Sequence, residues 1–100
     1  MARFDVYSPA GLSILLLDCQ ADVLSALDTR FVVPLMPPSQ KLPAFPRLNP
    51  LFTVNGQRLE MIAQGAASVA VRALGQPVSS LASEQSAIMN ALDMLLTGYR

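Results

Sequence analysis

The stretch LFTVNGQRLEMI, residues 51 to 62, narrows most what this chain can become. Asn55-Gly56 is the favoured pair for a two-residue type I′ turn, because both central residues of that turn need positive φ. A two-residue loop sets Val54 opposite Gln57, Phe52 opposite Leu59 and Pro50 opposite Met61. Thr53, Arg58, Leu51 and Glu60 are left on the other face. One face is mostly apolar and the other mostly polar, as a sheet covering a core requires.

The flanking sequence supplies more strands. RFDVY (residues 3–7) alternates, with Phe4 and Val6 on one side and Arg3, Asp5 and Tyr7 on the other, the period of a half-buried strand. Pro9 and Gly11 then mark a turn. ILLLDCQ (14–20) is a short apolar run that fits a buried strand or a helix, and its brevity favours the strand. TRFVVPLM (29–36) is rich in β-branched and aromatic residues, but Pro34 cannot donate to a ladder, so this strand lies at an edge or bends there. SVAVRAL (68–74) reads as a further strand, and the small residues of AQGAAS before it suit a helical turn.

Six prolines lie between Pro34 and Pro50, a spacing through which no helix persists. This segment is either a plain crossover or an ordered loop tethered by Leu42, Phe45 and Leu48. The last element is a helix. Ser83, or Ser80 one turn earlier, can cap it, and Glu84 suits its positive end. Ile88, Ala91, Leu92, Leu95, Leu96 and Tyr99 recur at steps of three and four, and Gly98 stands where a left-handed residue would end the helix. Strands first and one helix last predict an α+β chain, mainly β, or a small antiparallel barrel with a terminal helix.

Composition bounds the rest. One hundred residues with 52% apolar and 14% charged content predict one domain spanning residues 1–100, with a surface prone to self-association. Seven basic and seven acidic residues balance, which argues against a protein that binds by neutralising phosphates. Cys19 is the sole cysteine and histidine is absent, so one chain builds neither a disulfide nor a Cys/His zinc site, and a reducing, cytoplasmic setting fits. The opening MARFDVYSPAG lacks the pattern of a signal peptide, and no apolar run approaches the roughly 18 residues of a membrane span. A soluble protein with no membrane partner is expected.

Catalysis finds little to work with. Without histidine, a general base would have to be a tuned carboxylate. Asp18 and Asp22 are four residues apart, too far to act as a hydrogen-bonded pair, and structural roles suit them better. Cys19 has no basic neighbour in sequence to lower its pKa and reads as a buried thiol. The glycines match no phosphate-binding loop. Arg30, Arg47, Arg58 and Arg72 are scattered singly, as on a solvated sheet face. No cofactor and no metal are expected.

Taken in order, FDVY, LLLDCQADVL, TRFVVPL, LNPLFTVNGQRLEMI, AASVAVRALG, VSSL and IMNALDMLLTG resemble the CcdB toxins of bacterial toxin–antitoxin modules. The resemblance covers nearly the whole chain and rests on the ordered set of segments. It implies a fold shared with the Kid and MazF toxins, an SH3-like β barrel with a C-terminal helix, assembled as a homodimer. It further implies a toxin that does no bond chemistry. Such a toxin binds the A subunit of DNA gyrase and traps the cleaved DNA complex. A cognate antitoxin with a disordered C-terminal segment neutralises it, and DNA is met only indirectly, through that antitoxin.

In the best-known toxins of the family the gyrase surface ends in Trp-Gly-Ile. The matching positions here are Thr97, Gly98 and Tyr99, with Arg100 added, so Gly98 is retained and the large aromatic is absent from position 97. Asp93, Val23 and Leu24 match positions at or near the same surface. Leu95, Tyr99 and Cys19 are the implied dimer-interface residues, although packing within one chain equally explains Leu95. Two other readings stay open: a MazF-like endoribonuclease, and an inactive homologue that binds an antitoxin but has lost gyrase poisoning.

Overall fold

Strand β3 (Thr29–Met36) organises the molecule, and it is central, where the sequence left either an edge strand or a bend at Pro34. In this computed structural model, which describes residues 2–38 and 45–98, β3 pairs on one side with β2 (Leu15–Asp18). On its other side it pairs over Thr29–Val32 with β6 (Ala67–Ala70), and over Leu35–Met36 with β5 (Gln57–Met61). The change of partner falls at Pro34. Its carbonyl faces that second side and accepts the Ile62 N–H at 2.9 Å, so the missing N–H lies in the gap between β6 and β5. The proline is thus accommodated inside a central strand at a place where no donor is needed.

The hairpin matches its sequence reading. β4 (Leu51–Val54) and β5 pair Val54 with Gln57, Thr53 with Arg58, Phe52 with Leu59 and Leu51 with Glu60. Asn55 and Gly56 take φ of 50° and 84°, as a type I′ turn demands. On the far side β1 (Asp5–Tyr7) pairs with β2 and with β7 (Pro77–Ser80), giving the antiparallel order β4-β5-β3-β2-β1-β7 with β6 beside β3. The two ends of this sheet meet, because Asn55 Nδ2 donates to the Val78 carbonyl at 3.2 Å. The sheet therefore curls into a half-barrel, and with one C-terminal helix it has the expected α+β, mainly β architecture.

Helix α1 (Gln85–Thr97) closes the inner face by burying Ile88, Ala91 and Leu92. They join Val6, Leu17, Val33, Leu35, Phe52, Leu59 and Met61 in the main core. Each such aliphatic side chain, fully buried, contributes about 1.5–3 kcal/mol. Gly98 ends the helix with φ 75°, its N–H donating to the Met94 carbonyl at 3.0 Å. Neither serine caps α1. A single helical turn, Ala82–Glu84, precedes it, and the Ser80 hydroxyl accepts the Ala82 N–H at 3.2 Å instead.

The outer face is also covered, which corrects two sequence expectations. Tyr7, grouped by the alternation with Arg3 and Asp5 on the side opposite Phe4 and Val6, is fully buried with Leu16, Val32 and Leu74 in a second cluster. Arg30, read as lying on a solvated face, is fully buried against Asp18. Its Nε donates to Asp18 Oδ2 at 2.9 Å and its Nη2 lies 2.6 Å from the same oxygen. Only the Nε–H is aligned to donate, since Nη1, Nη2 and the Tyr7 hydroxyl have no aligned partner among the described residues. Burial raises the pKa of the Tyr7 hydroxyl; Asp5 and Asp18 push the same way and Arg30 opposes them. Arg47, Arg58 and Arg72 are exposed as expected.

Candidate functional site

At Cys19 the chain leaves the sheet. The Cys19 N–H donates to the Phe31 carbonyl at 2.9 Å, and the Gln20 N–H turns instead to Asp18 Oδ1 at 3.0 Å. A loop follows, carrying the single helical turn Asp22–Leu24. Its side chains point outward: Val23 is 87% exposed and Leu24 47%, with Leu27 exposed beside them. Apolar side chains so placed leave hydrocarbon in water, and Val23 is the most exposed of the large apolar side chains among the described residues.

Arg3 fastens this loop to the helix. Its backbone N–H donates to Asp22 Oδ1 at 2.8 Å, its Nε to the Cys19 carbonyl at 3.2 Å, and its Nη2 reaches Met89 Sδ at 3.3 Å. The guanidinium also sits over the Phe4 ring, 4.8 Å from its centroid. Phe4 itself adopts φ 72°, a left-handed conformation that costs a residue with a side chain about 1–2 kcal/mol. Two backbone bonds hold it there: its N–H to the Asp18 carbonyl at 2.6 Å, and its carbonyl from the Leu81 N–H at 2.8 Å. This local turn sends Val6 into the core while Arg3 stays beside Asp22.

From Met89, four-residue steps lead along the same helix face to Asp93 and Thr97, about 12 Å further on. Asp93 and Thr97 are exposed, and the Thr97 hydroxyl donates to the Asp93 carbonyl at 2.7 Å. Leu95 is 39% and Leu96 76% exposed, so the apolar stripe of α1 extends beyond what its own core covers. Through Arg3, the structure therefore links Val23 and Leu24 with the face that carries Asp93, Thr97 and, at the helix end, Gly98. Tyr99 and Arg100 lie outside the described residues, as does Leu42 of the proline-rich segment.

Cys19 is packed inside its own chain, where burial pushes its thiol up to about 12; Asp18 adds to the rise and Arg3 opposes it. A thiol so held stays protonated and is a poor nucleophile. Any part it takes in a dimer contact is indirect. Asp18 and Asp22 have separate structural partners, Arg30 and the Arg3 backbone. Among the described residues no group of three or more His, Cys, Asp and Glu is placed to hold a metal ion. A cavity of about 270 Å³ lies elsewhere, against Pro46, Asn49, Pro50, Leu51 and Glu60, with one carboxylate in its lining.

Sequence reasoning missed Arg3, Gln20 and the Arg30–Asp18 pair. The pair had a signal: once β2 and β3 are placed antiparallel with Asp18 opposite Val32, Arg30 is its diagonal neighbour on the same face. Gln20 and Arg3 had none, because most of their partners are backbone groups and the side-chain partners of Arg3, Asp22 and Met89, lie far from it in sequence.

A half-barrel closed by a terminal helix, with outward apolar side chains on a fixed loop and a helix end, defines a small protein whose visible surface suits docking. The chain belongs to the CcdB family: the family model described as CcdB protein matches residues 3–98. It is thereby a toxin of the toxin–antitoxin class. No curated protein matches the chain.

Proposed function

We propose that this toxin acts on DNA gyrase, binding its A subunit and trapping the cleaved DNA complex. The reading makes the chain a cytoplasmic homodimer that works by binding. A cognate antitoxin neutralises it through a disordered C-terminal segment, and DNA is reached only through that antitoxin. The observation that carries the reading is the surface joined by Arg3: exposed Val23 and Leu24 on one side, and the α1 face with Asp93, Thr97 and Gly98 on the other. This supports setting the proposed gyrase contact on that surface. Tyr99 completes the proposed surface, and Leu95 with Tyr99 is assigned to the dimer contact, which Cys19 supports only from inside its own chain.

Thr97 adjusts the proposal. A large aromatic at an interface centre commonly dominates its energy, so binding here is weaker than in toxins that carry one. Incubating the purified protein at micromolar concentration with gyrase, ATP and supercoiled plasmid tests the reading. Accumulation of linear DNA covalently linked to the A subunit is the expected result. Its absence, with a folded protein, would remove gyrase poisoning from the account.

A further inference from the structure

The loop 21–28 is closed by a side chain. Past Cys19 the backbone of β2 no longer pairs with β3, and the carboxamide of Gln20 takes its place in the ladder. Gln20 Oε1 accepts the Phe31 N–H at 3.0 Å, and Nε2 donates to the Thr29 carbonyl at 3.1 Å and to the Leu24 carbonyl at 3.2 Å. A primary amide offers one acceptor and two donors, and here all of them are used. Two of these bonds extend the sheet and the third crosses the loop to Leu24. The Leu24 carbonyl also accepts the Leu27 N–H at 3.1 Å, while the turn's own bonds, Leu24 to Ala21 and Ser25 to Asp22, are 3.0 Å each.

We infer that Gln20 is the positioning residue of the Val23–Leu24 surface, holding the loop in its docking conformation before any partner arrives. The inference rests on the reading that this loop meets the gyrase A subunit, and it deepens that reading by naming what preorganises it. The residue's own side chain faces the backbone and its energy is spent inside the chain. Its effect on a partner acts through Leu24. A loop that must be ordered on binding costs affinity, because the competent state is then only fractionally populated. No apolar residue can replace the amide, since Phe31 N–H and the Thr29 and Leu24 carbonyls would each lose a partner. A carboxylate in its place would keep the acceptor for Phe31 and oppose both carbonyls.

Wild type, Gln20→Ala, Gln20→Glu and Val23→Ala are compared by amide hydrogen exchange on the free protein and by titration with purified gyrase A subunit. In Gln20→Ala and Gln20→Glu, protection falls at Phe31, Leu24, Ser25 and Leu27 but holds at Met61 and Ile62. Affinity falls about tenfold, chiefly through slower association. Val23→Ala keeps the loop's protection and loses affinity through faster dissociation. Unchanged loop protection in both Gln20 variants would overturn the inference. So would an open loop that binds gyrase with wild-type affinity, or a loss of protection spread evenly over the core. If the wild-type protein itself does not bind gyrase, the proposed function fails, and the exchange data alone then decide whether Gln20 holds the loop.

Discussion

Replacing Arg30 with methionine should be among the most damaging single changes outside the apolar core. The side chain is fully buried, and its Nε–H and Nη2 both face Asp18 Oδ2. Methionine fills most of the volume and supplies no donor, so the Asp18 carboxylate keeps only the Gln20 N–H on its other oxygen. Breaking a buried ion pair by removing one partner costs about 3–5 kcal/mol, because the remaining charge is uncompensated. Each kcal/mol lowers the melting temperature of a domain this size by about 4–8 °C, so the loss is at least about 12 °C. Set against a total stability of about 5–15 kcal/mol, the loss removes from about a fifth to all of it. Urea denaturation at pH 7 reads the change as a lower midpoint with an unchanged slope. Adding Asp18→Asn removes the charge while keeping an acceptor for Gln20, and about 1–3 kcal/mol returns. A loss below about 1 kcal/mol in Arg30→Met, or a double variant less stable than the single one, would refute the reasoning.

Three further outcomes follow from particular residues. The Cys19 thiol titrates at about 12 in the folded chain against an ordinary 9.0, so between those values the unfolded chain releases its proton first. Stability is therefore full below pH 9 and falls by up to about 1.4 kcal/mol per pH unit above it. Tyr7, raised as well, acts in the same direction at higher pH, so Cys19→Ala reduces this slope without abolishing it; urea midpoints at pH 8 and pH 10.5 measure it, and equal slopes would contradict the burial argument. Gly98→Ala places a Cβ at φ 75° and should cost about 1–2 kcal/mol by thermal melting, unless the helix ends elsewhere. Thr97→Trp should tighten binding to the gyrase A subunit by about tenfold or more in calorimetric titration; no gain would detach position 97 from the contact.

Local signals were legible where one short rule decides the outcome. Asn55-Gly56 fixes the hairpin and its register, and Gly98 the helix end, because each depends on the φ of one or two residues. Pro34 misled, since the argument that a proline cannot sit in a central strand assumes one partner along each side, and β3 changes partner there. β7 carried no signal of its own: PVSS neither alternates clearly nor holds β-branched residues beyond Val78, and it forms because β1 presents an edge. Arg30 was read as solvent-facing, and Tyr7 grouped with Arg3 and Asp5, because a period-two pattern cannot tell a wet face from one covered by Val69 and Leu74. At the candidate site, Val23, Leu24, Asp93 and Thr97 were found through family resemblance. Arg3 fastens the loop to α1 through Asp22 and Met89, and Gln20 closes the loop on backbone groups, and neither contact leaves a periodic trace in the sequence.

Growth is the most direct test of the central claim. The chain is induced, without antitoxin, in bacteria that carry either normal gyrase or a gyrase whose A subunit resists this class of toxin. Arrest with double-strand DNA breaks in the first strain and unimpaired growth in the second is the result expected of a gyrase poison. Equal arrest in both strains would contradict it and turn attention to another target, RNA first.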